Sequence, residues 1–508
     1  MPQTEPAAGH PHRRRILAAL CAALLVMSVS VMAVTIALPP IALELRATTT
    51  QLQWITEAMV LALAALLIPM GAAADRYGRR RVLLAGLAVF ATASLLAAIT
   101  RTPGELIAAR ALMGVGNAMI TPSTLSIVRG VFPRSGLPKA LAVWGAVASL
   151  GVVLGPLTGG LLVEHFGWRS IFLVNAAALL PAAVGVSLVV PASRGRGRTT
   201  PDLLGIVLIS LGFVALIHTI VEAPRRSGLT TLGTAIVALA LLAGFAVHQR
   251  RAAHPLLDLR MVAARTFWPA AVAAATGFFT LMGVLFLITQ HYQDVRGHSP
   301  AAAALLMLPV AAGQLGVAPL IPRLIARYGV RTTAAAGLLG LTLGLAVIHA
   351  GLPAEGDWPP VIGLALVAAG NGATVNAAST AMMASAAPDR AGSAAAVNET
   401  AFKLGGSIGV AVLGSVVTAH LIAGLAPHRD LIPPGVRAFA AESVTGALHT
   451  AHRLGEADGA RLAGAARDAF AGGFAQATLL AAGLAVATAA LITLALREPY
   501  PITGKDKS

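Results

Sequence analysis

Charge is scarce in this chain. Only 11% of its 508 residues are Asp, Glu, Lys or Arg, against about 25% in an ordinary soluble domain. With 56% hydrophobic residues, that shortage excludes a soluble globule. Cysteine is scarcer still: Cys21 stands alone, so neither an intramolecular disulfide nor a cysteine-based metal site can form. No G-x-x-x-x-G-K-[ST] run occurs, which argues against a P-loop ATPase. No enzyme activity, metal or organic cofactor is expected. The charge that is present is unbalanced, at +16 net, but the basic residues are spread through short loops instead of gathering on one domain. A nucleic-acid partner is therefore not expected.

What the chain has in quantity is apolar runs. A helix needs about 20 apolar residues to cross the hydrocarbon core. Such runs recur at 16–38, 53–74, 82–100, 105–127, 140–163, 170–190, 203–222, 229–247, 266–290, 300–322, 332–351, 359–384, 392–418 and 473–496. The first is too long for a signal peptide and lacks a small-residue cleavage site, so it is read as retained. The expected fold is all-α and membrane-embedded, with 14 transmembrane helices. An even number of spans puts both termini on one side. Placing the termini in the cytoplasm leaves 24 of the 37 basic residues inside and 6 in the short outside loops, the asymmetry expected of a cytoplasmic membrane. The longest loop, 419–472, is then extracellular and is expected to form a partly ordered cap.

A repeat gives the organisation. GAAADRYGRRR at 71–81 follows the second span, and ARYGVR at 326–331 follows the tenth. Two equal six-helix halves would separate these points by six spans, whereas eight lie between them. A pair of helices is therefore inserted, with 203–222 and 229–247 as the natural candidates. The organisation expected is a tail at 1–15, a six-helix half at 16–190, a linker with two inserted helices at 191–265, a second half at 266–496 and a tail at 497–508.

Four segments carry a resemblance to the major facilitator superfamily, specifically its fourteen-span drug:proton antiporter branch. GAAADRYGRRR resembles the shared loop between helices 2 and 3. Its Gly71 and Gly78 permit close backbone approach, and Asp75, Arg76, Arg79 and Arg80 are placed to make a latch that can open and close. LIAARALMGVGNA at 106–118 sets Arg110 inside the fourth span, where a lone guanidinium costs about 2.5–3.5 kcal/mol and must find an acceptor; the resemblance implies a part in proton coupling. GVVLGPLTGG at 151–160 is similar to the motif that marks exporters. By spacing alone, Gly151, Gly155 and Gly159 clear one helix face for packing, Gly160 extends the small-residue run, and Pro156 permits a bend. WRSIFLVN at 168–175 resembles the entry to helix 6.

Proton coupling needs a carboxyl inside the bundle, and carboxyls there are few. Glu57 in the second span and Glu399 in the thirteenth fall where quaternary-ammonium exporters of this branch carry acids. A carboxyl taken out of water is easier to protonate, and Glu399 is expected to lie the deeper of the two, with Glu57 near the interface and open to simple solvation. Lys403, four residues on, shares a face with Glu399 and offers an ion pair. The family's first-helix aspartate is missing: Ser30 stands in its place. Asn398 replaces one acid of the thirteenth-span pair, and Gln314 stands where some relatives have an acid. So few carboxylates suit neutral or monocationic substrates better than dications. Ser30, Gln290, Gln314, Asn371 and Asn376 are candidate cavity residues, though such groups more often bond between helices.

The resemblance implies a proton-coupled antiporter of the bacterial cytoplasmic membrane. It would export lipophilic or amphipathic drugs and antibiotics by alternating access, driven by the proton gradient, with protons, substrate and membrane lipid as partners and a monomeric state. A dedicated exporter of one metabolite or self-made antibiotic, or a transport-inactive sensor, are the alternatives.

Overall fold

The computed structural model describes residues 10–133, 136–191, 202–226, 228–252, 259–354, 356–385 and 391–496. Most of both tails and the linker stretches 192–201 and 253–258 lie outside them. The described residues are helical, without a strand. In order the helices are α1 (Arg13–Leu45), α2 (Thr49–Tyr77), α3 (Arg79–Ile99), α4 (Pro103–Val131), α5 (Leu137–Phe166), α6 (Arg169–Val189), α7 (Leu203–Glu222) and α8 (Gly228–Arg251). Then come α9 (Leu259–Val262), α10 (Trp268–Gln290), α11 (Pro300–Leu306), α12 (Leu308–Val317), α13 (Ile321–Gly351), α14 (Trp358–Ala384), α15 (Ala391–Leu425), α16 (Arg437–Glu442), α17 (Val444–Ala451) and α18 (Glu456–Ala495).

Local chemistry sets several boundaries. Thr102 and Glu105 cap the start of α4 reciprocally, with Pro103 in the first turn, where its missing N–H costs nothing. Gly78 turns the chain between α2 and α3 at φ 101°, and Gly329 breaks α13 at φ 83°, conformations that L side chains resist. These two glycines belong to the two RYG segments. In each, the preceding arginine lies over the tyrosine ring, Arg76 at 5.4 Å from Tyr77 and Arg327 at 5.2 Å from Tyr328. The repeat in the sequence is a repeat in conformation.

Among the described residues, twelve helical stretches are long and apolar enough to cross a membrane, so the expected count of fourteen is not reached directly. One of the twelve, Pro300–Gly351, is 52 residues long and contains both expected runs 300–322 and 332–351. Apolar side chains left exposed, such as Leu188, Leu229 and Leu494, are what a lipid-facing surface requires.

The chain divides into two compact units. One comprises Met1–Ala37 and Ala58–Val207, the other Leu38–Glu57 and Leu208–Ser508. The second unit thus takes in the end of α1 and the start of α2 across 38–57, most of α7 and all of α8. The expected cap is helical: two 3₁₀ turns, Ala426–Leu431 and Pro434–Val436, lead into α16 and α17. It is tied down at several points. Thr445 donates to Asp294 at 2.8 Å, Thr49 donates to the Glu442 carbonyl at 2.5 Å, and Arg225 pairs with the Glu442 carboxylate at 3.0 Å.

Candidate functional site

In the first unit the α2–α3 loop is stitched to two other helices. Arg79 pairs with Asp75 at 3.2 Å and donates to the Ser126 carbonyl of α4 at 3.0 Å. Arg80 donates to the Ser187 carbonyl near the end of α6. Both arginines therefore place positive charge near the C-terminal ends of α4 and α6, where the helix dipole favours it. Asp75 and Arg76 are exposed, Gly78 is buried, and Gly71 meets Pro122 of α4 at ordinary van der Waals range. Asp75, near the end of α2, thus meets an arginine at the start of the neighbouring helix α3.

Arg110 is 1% exposed and heads the large, fully buried side chains. It sits on the covered face of α4 with Asn117, as a guanidinium within an apolar span must. The glycine face of α5 lies on α1. A Cβ at Gly151 would fall 2.1 Å from Ser28 Cβ, one at Gly155 2.4 Å from Met32 Cβ, and one at Gly159 2.8 Å from the Ala33 carbonyl. Gly160 is buried beside them and Pro156 lies inside the same helix. Only glycine allows this approach. Near the same face, Asn175 of the WRSIFLVN segment donates to Ser30 Oγ at 2.8 Å. Ser30 is 0% exposed, so this expected cavity candidate forms a buried, neutral inter-helix bond.

In the second unit the two candidate carboxylates exchange places. Glu57 is 2% exposed, while Glu399 is exposed and Lys403 half-buried. The expectation that Glu399 lies deeper is thus reversed. Burial is set by neighbouring helices, and α10 and α18, which pack along α15, leave the Glu399 face uncovered. Nor, among the described residues, does an ion pair join Glu399 to Lys403. Gln290 and Asn371 are also not surface groups, at 1% and 2% exposure. Gln290 donates to the Phe286 carbonyl within α10, and Asn371 Oδ1 occupies the space a Cβ at Gly277 would need. Gln314 remains half-buried and Asn376 exposed, so of the five cavity candidates these two keep an open side. Among the described residues no group of three or more His, Cys, Asp or Glu is placed to hold a metal ion.

Two features escaped the sequence reading. Gln53 is 0% exposed and its amide donates to the Val410 and Ala411 carbonyls of α15, both at 3.0 Å. Glu57 lies one turn further along the same face of α2. The available signal was the spacing Gln53-x-x-x-Glu57 at the start of an apolar helix. The second feature is a glycine contact between α15 and α10, where a Cβ at Gly405 would lie 2.2 Å from the Ala275 carbonyl and one at Gly409 2.0 Å from the Phe279 carbonyl. Its four-residue spacing repeats that of Gly151, Gly155 and Gly159.

A family model described as Major Facilitator Superfamily matches residues 18–410. The chain is 34% identical to the multidrug efflux pump LfrA of Mycolicibacterium smegmatis, over 95% of this chain and 96% of that protein. It is 32% identical to the methyl viologen resistance protein SmvA of Salmonella typhimurium, over 86% and 88%. It is 33% identical to the tetracenomycin C resistance and export protein of Streptomyces glaucescens, over 76% and 73%. Among solved structures, an inward-facing, occupied bacterial homologue of the human lysosomal transporter Spinster superposes with a TM-score of 0.70 at 20% identity, covering 96% of this chain and 97% of that one.

Proposed function

This chain belongs to the major facilitator superfamily, and from that premise we propose that it exports lipophilic or amphipathic small molecules in exchange for protons. Its relatives are named for multidrug efflux, for methyl viologen resistance and for tetracenomycin C resistance and export, which supports the direction and the substrate class. The proposed setting is a bacterial cytoplasmic membrane with both termini inside. The proposed count is fourteen spans, obtained by dividing Pro300–Gly351 at Gly329 and adding α5.

The observation that carries proton coupling is Glu57, a carboxyl buried to 2% within a membrane-spanning helix. Burying an ionised carboxylate is costly, so such a group is retained where its protonation changes during work. Arg110, buried in the other unit, is the second charge whose environment must change if the helices move. Glu399 and Lys403 support a different role. Charged groups on an uncovered helix face inside a membrane must meet water, so that face of α15 lines a wet path, with Gln314 and Asn376 as further polar lining candidates. In the cycle, an outside proton reaches Glu57, substrate leaves, and the protein returns to the inward state. The membrane potential adds about 2.3 kcal/mol per charge per 100 mV if the exchange moves net charge.

The test is efflux of a fluorescent lipophilic cation from cells overexpressing the protein, with and without a protonophore. Protonophore-sensitive efflux lost in Glu57→Gln and only reduced in Glu399→Gln is the expected pattern. Efflux unaffected by the protonophore, or Glu57→Gln pumping like the parent, would sink the coupling proposal. A dedicated antibiotic exporter is the second reading, favoured by the tetracenomycin C relative; failure of unrelated compounds to compete for efflux would select it.

A further inference from the structure

Where α7 and α15 end, the second unit has an open cleft of about 630 Å³ that no step of the transport proposal uses. Its wall carries Arg225, Arg226, Arg429 and Arg437, opposed by Glu222 and Glu442. The internal pairing is uneven. Glu222 reaches both Arg225, at 3.8 Å, and Arg226, at 3.3 Å, while Glu442 is taken by Arg225 at 3.0 Å. Arg437 uses its Nε on the Ile432 carbonyl at 3.2 Å, which leaves its two terminal nitrogens, and Arg429 is exposed at the rim. Four positive charges face two negative ones, so the wall keeps a surplus of two. The reachable apolar lining is Ile422, Ala426, Ala438 and Ala441, with Leu425 and Ile432 closed off beneath it at 1% exposed.

We propose that this cleft binds the phosphodiester headgroup of a membrane lipid, the phosphate held by Arg226, Arg429 and Arg437 and the glycerol and upper acyl carbons resting on Ile422, Ala438 and Ala441. Guanidinium forks match phosphate oxygens two at a time, which accounts for arginine at all four basic positions of the wall. The apolar lining separates a lipid from a free anion, because inorganic phosphate gains nothing from it. The location agrees: the cleft opens where two helices long and apolar enough to cross a membrane end, and the α16 segment lines it through Glu442. A bound lipid would therefore bridge the inserted helix pair and the cap, which Arg225 and Glu442 already join.

The inference rests on the membrane fold and not on transport, and its test is separate from efflux. Full-length protein in detergent is titrated with dioctanoyl phosphatidylglycerol, dioctanoylglycerol or inorganic phosphate, and its melting temperature is followed, since a ligand that binds the folded state raises it. Phosphatidylglycerol is expected to raise it saturably, with the half-effect concentration increased about tenfold or more in Arg226→Gln/Arg429→Gln. Dioctanoylglycerol and phosphate are expected to have no effect at the same concentrations. Unchanged half-effect in the double variant, or an equal effect from dioctanoylglycerol, overturns the proposal, and a full effect from phosphate alone overturns its lipid part. Arg429→Gln, a substitution at an exposed rim position, serves as the second variant if the double variant fails to fold; it should weaken phosphatidylglycerol in the same direction, and parent-like binding refutes the site.

Discussion

Removing the Gln53 amide should loosen the hold of α15 on the start of α2 by an amount the geometry lets one bound. Gln53 donates to two carbonyls, Val410 and Ala411, at 3.0 Å each, and is 0% exposed. A net intramolecular hydrogen bond is worth about 0.5–1.5 kcal/mol, so the pair contributes roughly 1–3 kcal/mol to the contact, or about 5- to 150-fold in the equilibrium between joined and parted helices. The amide also fills the notch at Gly414, whose Cβ would lie 2.3 Å from Gln53 Nε2, so alanine leaves a gap there as well. Any motion that separates Thr49–Glu57 from α15 must break both bonds. Ser407, 2% exposed and within one turn of both carbonyls, reports the separation. In a Cys21→Ser background with Ser407→Cys, labelling by a water-soluble maleimide should accelerate about 5- to 150-fold when Gln53→Ala is added. A labelling rate within about twofold of the parent, in protein inserted and folded to the same extent, would refute the reasoning, because the two bonds would then contribute less than about 0.5 kcal/mol.

The glycine contacts give a second expectation. Gly409→Ala places a methyl 2.0 Å from the Phe279 carbonyl, some 1.4 Å inside the 3.4 Å at which ordinary contact begins, and overpacking of this kind costs about 1–3 kcal/mol or more. Its melting temperature in detergent should fall, whereas Gly483→Ala, with nothing within 4 Å, should leave it unchanged or slightly raised; equal behaviour of the two would remove the close-packing argument. A third concerns Glu442. Burial pushes its carboxyl above the ordinary value of 4.5, with Arg225 opposing, so the folded cap binds the proton more tightly than the unfolded chain does. Stability from this group is present at low pH and declines as pH rises from about 4.5 through the raised value. Melting curves across that window should show the decline and Glu442→Gln should flatten it; the same slope in both would place the effect elsewhere.

Much of the architecture was legible because membranes make it so. Lipid offers no hydrogen bonds to an open backbone, so apolar runs of sufficient length announce helices, and α15 and α18 differ from expectation mainly by extending beyond the apolar core, to Leu425 and from Glu456. The two RYG segments could be matched by eye, and their shared positive-φ glycines follow from the same residues. Gly151, Gly155 and Gly159 announced a close contact by spacing. Gln53 did not announce itself, since its two acceptors are backbone carbonyls more than 350 residues away, and backbone acceptors leave no trace in side-chain identity.

By itself, then, the amino-acid order determined the solvent, the material of the fold and its repeated RYG turn: how apolar each segment is, where turns must fall and which segments repeat are local properties, settled over spans of some twenty residues. Only tertiary structure decided which polar groups are buried. Glu57 and Glu399 are both single carboxyls in apolar helices, yet one is enclosed and the other uncovered; Ser30 became half of a neutral bond to Asn175. Burial depends on which helices pack against a given face, and that is fixed by contacts between residues far apart in the chain.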